Sequence, residues 1–92
     1  MKKRIIARFF IKDGSIENFK EQAAGLVKNT RKEKGCLFYS LFQDVSNPGE
    51  FLFYEEYADQ DAVNTHSNSA YLNVFRASIG DMQYKDKIVD II

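Results

Sequence analysis

Scarcities in the chain set its first bounds. Its 92 residues include one cysteine, one histidine, one proline and no tryptophan, and 13 basic residues are matched by 13 acidic ones. The single cysteine, Cys36, rules out an internal disulfide, and within an apolar run it packs as a small hydrophobe. One histidine and one cysteine in different elements leave only carboxylates to complete a metal site. Zinc and iron sites take three or four ligands, so no metal is expected. Balanced charge argues against nucleic acid as a partner, since binding grooves carry a basic excess. No apolar stretch approaches the roughly 20 residues that span a bilayer, and Met1-Lys2-Lys3-Arg4 leads straight into a strand pattern instead of a signal peptide. No membrane partner is expected, and the cytoplasm is the expected compartment. The five glycines are scattered with no phosphate-cradling loop, which leaves nucleotide and flavin binding without support. No cofactor is expected.

What is present is apolar and periodic. A chain this short buries only about 60 to 65 per cent of its unfolded surface, which allows one domain over residues 1–92. Residues 5–11 (IIARFFI) read as a strand, and Lys12, Asp13 and Gly14 as a turn. From Ser15 the period lengthens. Ile16, Phe19, Ala23, Leu26, Val27 and Thr30 form one stripe, and the charged face across 17–34 reads as solvated surface. Ser15 or Asp13 caps this helix, and Lys32, Lys34 and Gly35 close it. Residues 36–42 (CLFYSLF) and 51–57 are strands joined by the Asn47-Pro48-Gly49 turn, so they form a hairpin. Asp59 then caps a short helix bearing Ala62, Val63 and His66, which sets the imidazole beside an apolar face, pointing back toward the strand. A second helical segment starts near Ser69, carries Tyr71, Leu72 and Phe75, and ends at Gly80. Residues 83–92 read as the last strand.

The order of elements predicts an α+β fold, the ferredoxin-like βαββαβ arrangement with a four-stranded antiparallel sheet and both helical segments on one face. A sheet covered on one side alternates apolar and polar residues. Here Ile5, Ala7, Phe9 and Ile11 interleave with Ile6 and Phe10, and Phe38 and Phe42 interleave with Leu37, Tyr39 and Leu41. Two apolar faces need two covers. The helices supply one, and the same sheet of a second copy is expected to supply the other, giving a homodimer packed through its sheet faces.

Several pieces of the chain together resemble a known family. Glu33-Lys34-Gly35-Cys36-Leu37 with Tyr39 two further on, then Phe53-Tyr54-Glu55-Glu56-Tyr57, Ala62, His66, Ser69 and Tyr71, stand at the spacings of the antibiotic biosynthesis monooxygenase family. The resemblance runs over about residues 5–80 and implies a small dimeric α/β barrel. Domains of this kind are similar in fold to cofactor-independent quinol and polyketide oxygenases, to haem-degrading enzymes and to an isomerase of a sugar-derived signal, so the fold alone does not assign an activity. Family members often have tryptophan where Tyr57 stands, and many have a second histidine where Tyr71 stands. The residues that mark haem-degrading relatives have Ala7, His66 and Phe75 as counterparts here, which argues against haem degradation.

The chemistry left is proton abstraction. A cofactor-free oxygenase acts on an electron-rich aromatic, quinol-like or polyketide-like, that loses a proton and passes an electron to dioxygen itself. His66, with an ordinary pKa of about 6.5, suits the base. Glu55 shares a strand face with Phe53 and Tyr57; if that face meets the helices it can orient the imidazole or act as a second acid-base group, and otherwise it pairs with a lysine or arginine at the dimer interface. Tyr39, Tyr57 and Tyr71 can donate to a substrate oxygen, and Phe53 and Phe75 can stack on a flat ring. Two alternatives remain open: a non-catalytic module that holds a small ligand or serves in stress response, and a cofactor-free isomerase of a small carbonyl compound.

Overall fold

The first β-branched and aromatic run extends further than its apolar residues alone require: β1 spans Lys3–Ile11 in the computed structural model, which describes all of residues 1–92. It is followed by α1 (Ile16–Thr30), β2 (Cys36–Gln43), β3 (Glu50–Tyr57), α2 (Gln60–Ser67), α3 (Ala70–Ser78) and β4 (Gln83–Ile91). One-turn 3-10 segments at Asp13–Ser15 and Gly80–Met82 lead into α1 and β4. The strands form one antiparallel sheet in the order β2-β3-β1-β4. This is the α+β, ferredoxin-like fold that the element order predicts, with α2 and α3 sharing the place of a second long helix. No helix is long and apolar enough to cross a membrane.

Burial along β3 alternates strictly. Phe51, Phe53, Glu55 and Tyr57 are buried toward the helices, and Leu52, Tyr54 and Glu56 are half-buried on the opposite face. Beneath α1 and α3 the rings of Phe9, Phe19, Phe53 and Phe75 meet in tilted and edge-on contacts, with centroids 5.6 to 6.1 Å apart. Edge-on geometry sets the positive rim of one ring on the negative face of another, and each buried phenylalanine contributes about 1.5–3 kcal/mol through its area. The opposite sheet face is also apolar in part. Phe38, Phe42, Tyr84 and Ile88 are exposed there. Phe10 is buried on that side because the Lys85 ammonium lies 4.6 Å from its ring centroid and Tyr84 meets its edge.

Two local expectations need correction. α1 stops at Thr30, so residues 32–35 form a turn outside the helix. Gly35 does not act there through left-handed backbone, since no residue in the chain has a positive φ. Its lack of a side chain provides space instead: a Cβ at Gly35 would sit 2.4 Å from that of Ala62 on α2. Ser15 stands at the α1 N-terminus without a side-chain capping bond. Asp59 does cap α2, accepting a hydrogen bond from the Ala62 backbone N–H at 2.8 Å.

Candidate active site

Asp59 fixes the start of α2, and two turns later His66 points inward from the same face as Ala62 and Val63. The imidazole is 5 % exposed. It is wedged between the rings of Tyr39 and Tyr57, at centroid distances of 5.3 and 5.5 Å. Its Nδ1 lies 2.9 Å from Glu33 Oε2, and the Tyr71 hydroxyl donates to the same carboxylate oxygen. In the neutral ring, Nδ1–H donates to Glu33 and Nε2 carries the lone pair, so the carboxylate selects both tautomer and ring orientation. Nε2 makes no hydrogen bond within the chain.

Glu33 is the site residue that sequence reasoning missed. Assigned to a solvated helix face, it has a side chain only 10 % exposed. The helical period no longer applies to it because α1 has already ended, and the turn carries the carboxylate inward beneath α2. The glycine at position 35 was the available sign that the helix was closing.

The parity of β3 places Glu55 among the buried aromatics, 6 % exposed, where Oε1 accepts a hydrogen bond of 2.6 Å from the Tyr57 hydroxyl. The imidazole is therefore oriented by Glu33, and Glu55 stands apart with its second oxygen unpaired in the chain. Burial raises the Glu55 pKa to about 7, opposed by the Tyr57 hydrogen bond and assisted by the charge of Glu33. Burial, with Glu55 nearby, also pushes the Tyr39 and Tyr57 hydroxyls well above the usual phenol range, so both remain hydrogen-bond donors. Tyr71 is pushed up to about 12 by burial and its bond to Glu33. The Cys36 thiol is raised by burial and by Glu33, which opposes formation of a reactive thiolate. No three of the histidine, cysteine and carboxylate side chains converge in a way that could hold a metal ion.

A cavity of about 120 Å³ opens between the sheet and α2 and α3. His66, Glu55, Tyr39, Phe53 and Phe75 line it. Tyr57 and Tyr71 do not: Tyr57 backs the imidazole and tethers Glu55, and Tyr71 secures Glu33.

Glu55 also predicts a pH-dependent stability. Its carboxyl holds a proton more tightly when folded than at its unfolded value of 4.5. Stability therefore falls as pH rises from about 4.5 to about 7 and is level above that. Glu55→Gln keeps an acceptor for Tyr57 and removes this loss. The variant should be about 3 kcal/mol more stable than the wild type at pH 8, with no difference below pH 4. Urea unfolding across that range checks it, and parallel curves for the two proteins would refute the buried-carboxyl account.

Residues 4–78 match the sequence profile of a family described as antibiotic biosynthesis monooxygenase. The chain belongs to this family. It is 31% identical over 67 residues to the protein named "Putative monooxygenase YcnE" of Bacillus subtilis, covering 73% of this chain and 70% of that one. It is 25% identical over 88 residues to "Putative monooxygenase Rv0793" of Mycobacterium tuberculosis, covering 96% and 86%. A crystal structure of an antibiotic biosynthesis monooxygenase superposes with a TM-score of 0.94 at 34% identity, covering 100% of this chain and 96% of that one. The residues that carried the family resemblance in the sequence converge in space. Glu33, Tyr39 and Tyr57 surround one imidazole, Tyr71 secures Glu33, and Gly35 and Ala62 form the close contact that seats the helix bearing it.

Proposed function

We propose that the protein is a cofactor-independent monooxygenase acting on a small electron-rich aromatic, with His66 Nε2 as the general base. The observation that carries this reading is an imidazole in the wall of a partly open aromatic cavity, its Nδ1 engaged by a carboxylate and its Nε2 left without a partner. A substrate such as a hydroquinone gives a phenolic proton to Nε2, and the phenolate passes an electron to dioxygen. The two radicals combine at a ring carbon. Loss of water leaves one oxygen atom on the ring as a hydroxyquinone, and the substrate supplies every electron. The imidazolium returns its proton to the departing water, which is general acid-base catalysis by one residue in two directions. Glu55, with a pKa near 7, is a second group able to move a proton, and the Tyr39 hydroxyl is a donor to the second ring oxygen. At about 120 Å³ the cavity is somewhat smaller than the engineered apolar cavity of about 150 Å³ that takes up benzene, which limits it to a single ring reaching in from its open side.

The test is oxygen uptake on a panel of single-ring hydroquinones, with stoichiometric release of hydroxyquinone. Conversion at the same rate without oxygen would replace this reading by an isomerase of a small carbonyl compound. Saturable binding with no conversion would replace it by a non-catalytic binding module.

We also infer that the open sheet face is covered by the same face of a second copy, as a dimeric α/β barrel. Exposed Phe38, Phe42, Tyr84 and Ile88 support this, ringed by Arg4, Arg8 and Glu56. Sedimentation should give the mass of a dimer, and Phe42→Glu, which sets a charge on that face, should give a monomer. A monomeric wild type at micromolar concentration would sink the inference.

A further inference from the structure

The cavity lining carries both signs of charge. Glu55 and His66 are its buried titratable groups, and its exposed part includes the side chains of two cations, Arg76 on α3 and Lys87 on β4. Both are exposed, and neither forms an ion pair with any carboxylate of the chain. Lys87 stands two residues before Val89, which pairs with Ala7, and both side chains line the cavity.

Arg76 is also held in place. Its Nη1 donates to the Ser67 carbonyl and to Asn73 Oδ1, both at 3.2 Å. That leaves the Nε and Nη2 edge free, the pair of parallel N–H groups that grips a carboxylate or phosphate side-on. Arg76 thus ties α3 to the last carbonyl of α2 through one nitrogen only, and neither cation has a carboxylate partner. In a chain of zero net charge they form a local field that attracts an anion.

We propose that the substrate is an aromatic ring bearing an anionic group, with Arg76 and Lys87 binding that group while the ring extends inward past Phe53 and Phe75 toward His66. The proposal deepens the oxygenase reading and rests on the same cavity. Glu55 enforces the polarity: an anion placed at the inner end meets a buried carboxyl, whereas an anion at the rim meets two cations. The orientation delivers the uncharged, oxidisable edge of the ring to Nε2. One ring oriented in this way loses its proton at a single position, so the cations decide which carbon is oxygenated.

The test uses benzoate and benzamide, which have nearly the same shape and are not electron-rich enough to react, so binding is read without turnover. Isothermal titration and chemical-shift mapping should show benzoate binding about tenfold more tightly than benzamide, as expected for one strong charge-assisted pair. The preference should shrink steeply between 50 and 500 mM salt, because the rim is open to screening ions. Arg76→Gln with Lys87→Gln should bring the two ligands to parity, with the loss falling mainly on benzoate. Equal binding of the two by the wild type, no binding of either, or a preference that survives in the double variant would each overturn the proposal. Oxygen uptake driven by hydroquinone and by 2,5-dihydroxybenzoate, measured separately, keeps the two ideas apart. Anion preference without any turnover would sink the oxygenase and leave the anion site standing, and turnover without preference would do the reverse.

Discussion

Replacing His66 by alanine should lower oxygen uptake on a single-ring quinol by about 10²–10⁴-fold, the range that a positioned acid-base group supplies. The fall should be in kcat, with KM changed little, because the imidazole acts on a proton that moves only as the reaction begins. The structural cost has to be separated from the chemical one. His66 fills the space between Tyr39 and Tyr57 and is a partner of Glu33, so its removal leaves a void and a buried carboxylate held by Tyr71 alone. Added imidazole distinguishes the two effects, since it can enter the vacated space and restore part of the rate without restoring the stability of the chain. Glu33→Gln is the companion variant. It can accept from Nδ1–H but carries no charge, so an imidazolium formed during the reaction is less well stabilised, and kcat should drop by less than in His66→Ala. Unchanged oxygen uptake in His66→Ala, on every quinol the wild type oxidises, would remove the base from the mechanism.

The difference between His66 and Glu33 also marks where sequence patterns stop being informative. His66 was legible because two short-range signals agree on it: the Asp59 cap sets the start of α2, and the helical spacing from Ala62 and Val63 sets the direction of its side chain. That Glu55, Phe53 and Tyr57 share one face was legible because a strand has a period of two and β3 keeps it without a break, but which face meets the helices was not. Glu33 sits in a turn, where no period applies, and its partner His66 is 33 residues away. Tyr71 falls between these cases. The helical pattern set it beside Leu72 and Phe75, but only the latter two are buried in the core, and Tyr71 stands at the edge of that face, where its hydroxyl reaches Glu33. Which aromatics line the cavity and which stand behind it depends on packing between elements, and neither spacing nor composition carries that information. The open sheet face was legible as an excess of apolar residues on β1 and β2, because a surplus shows in sequence even when its cover does not.

Gly35→Ala should cost about 1–3 kcal/mol of stability, the range for overpacking a close contact. In a domain of this size, each kcal/mol lowers the melting temperature by about 4–8 °C. The turn after α1 and the first turn of α2 touch at this point: the Ala58 N–H donates to the Gly35 carbonyl at 2.9 Å, and a Cβ on Gly35 would stand 2.4 Å from the Ala62 Cβ. Ordinary contact begins near 3.4 Å, so the two segments must part by about 1 Å. Both carry the site. Glu33 lies two residues before Gly35, and His66 lies one helical turn after Ala62, so the same displacement lengthens the 2.9 Å contact between Nδ1 and Oε2. A misplacement of about 1 Å can cost a factor of 10² in rate, so turnover should fall together with the melting temperature. Moving the methyl group back tests whether this contact is the cause. In Gly35→Ala with Ala62→Gly, one methyl again stands between the two backbones, and turnover should return. Stability should return only in part, because glycine inside α2 costs about 1 kcal/mol relative to alanine. A single Gly35→Ala variant that melts and turns over like the wild type would mean that the turn yields freely and that the seating of His66 does not depend on this contact.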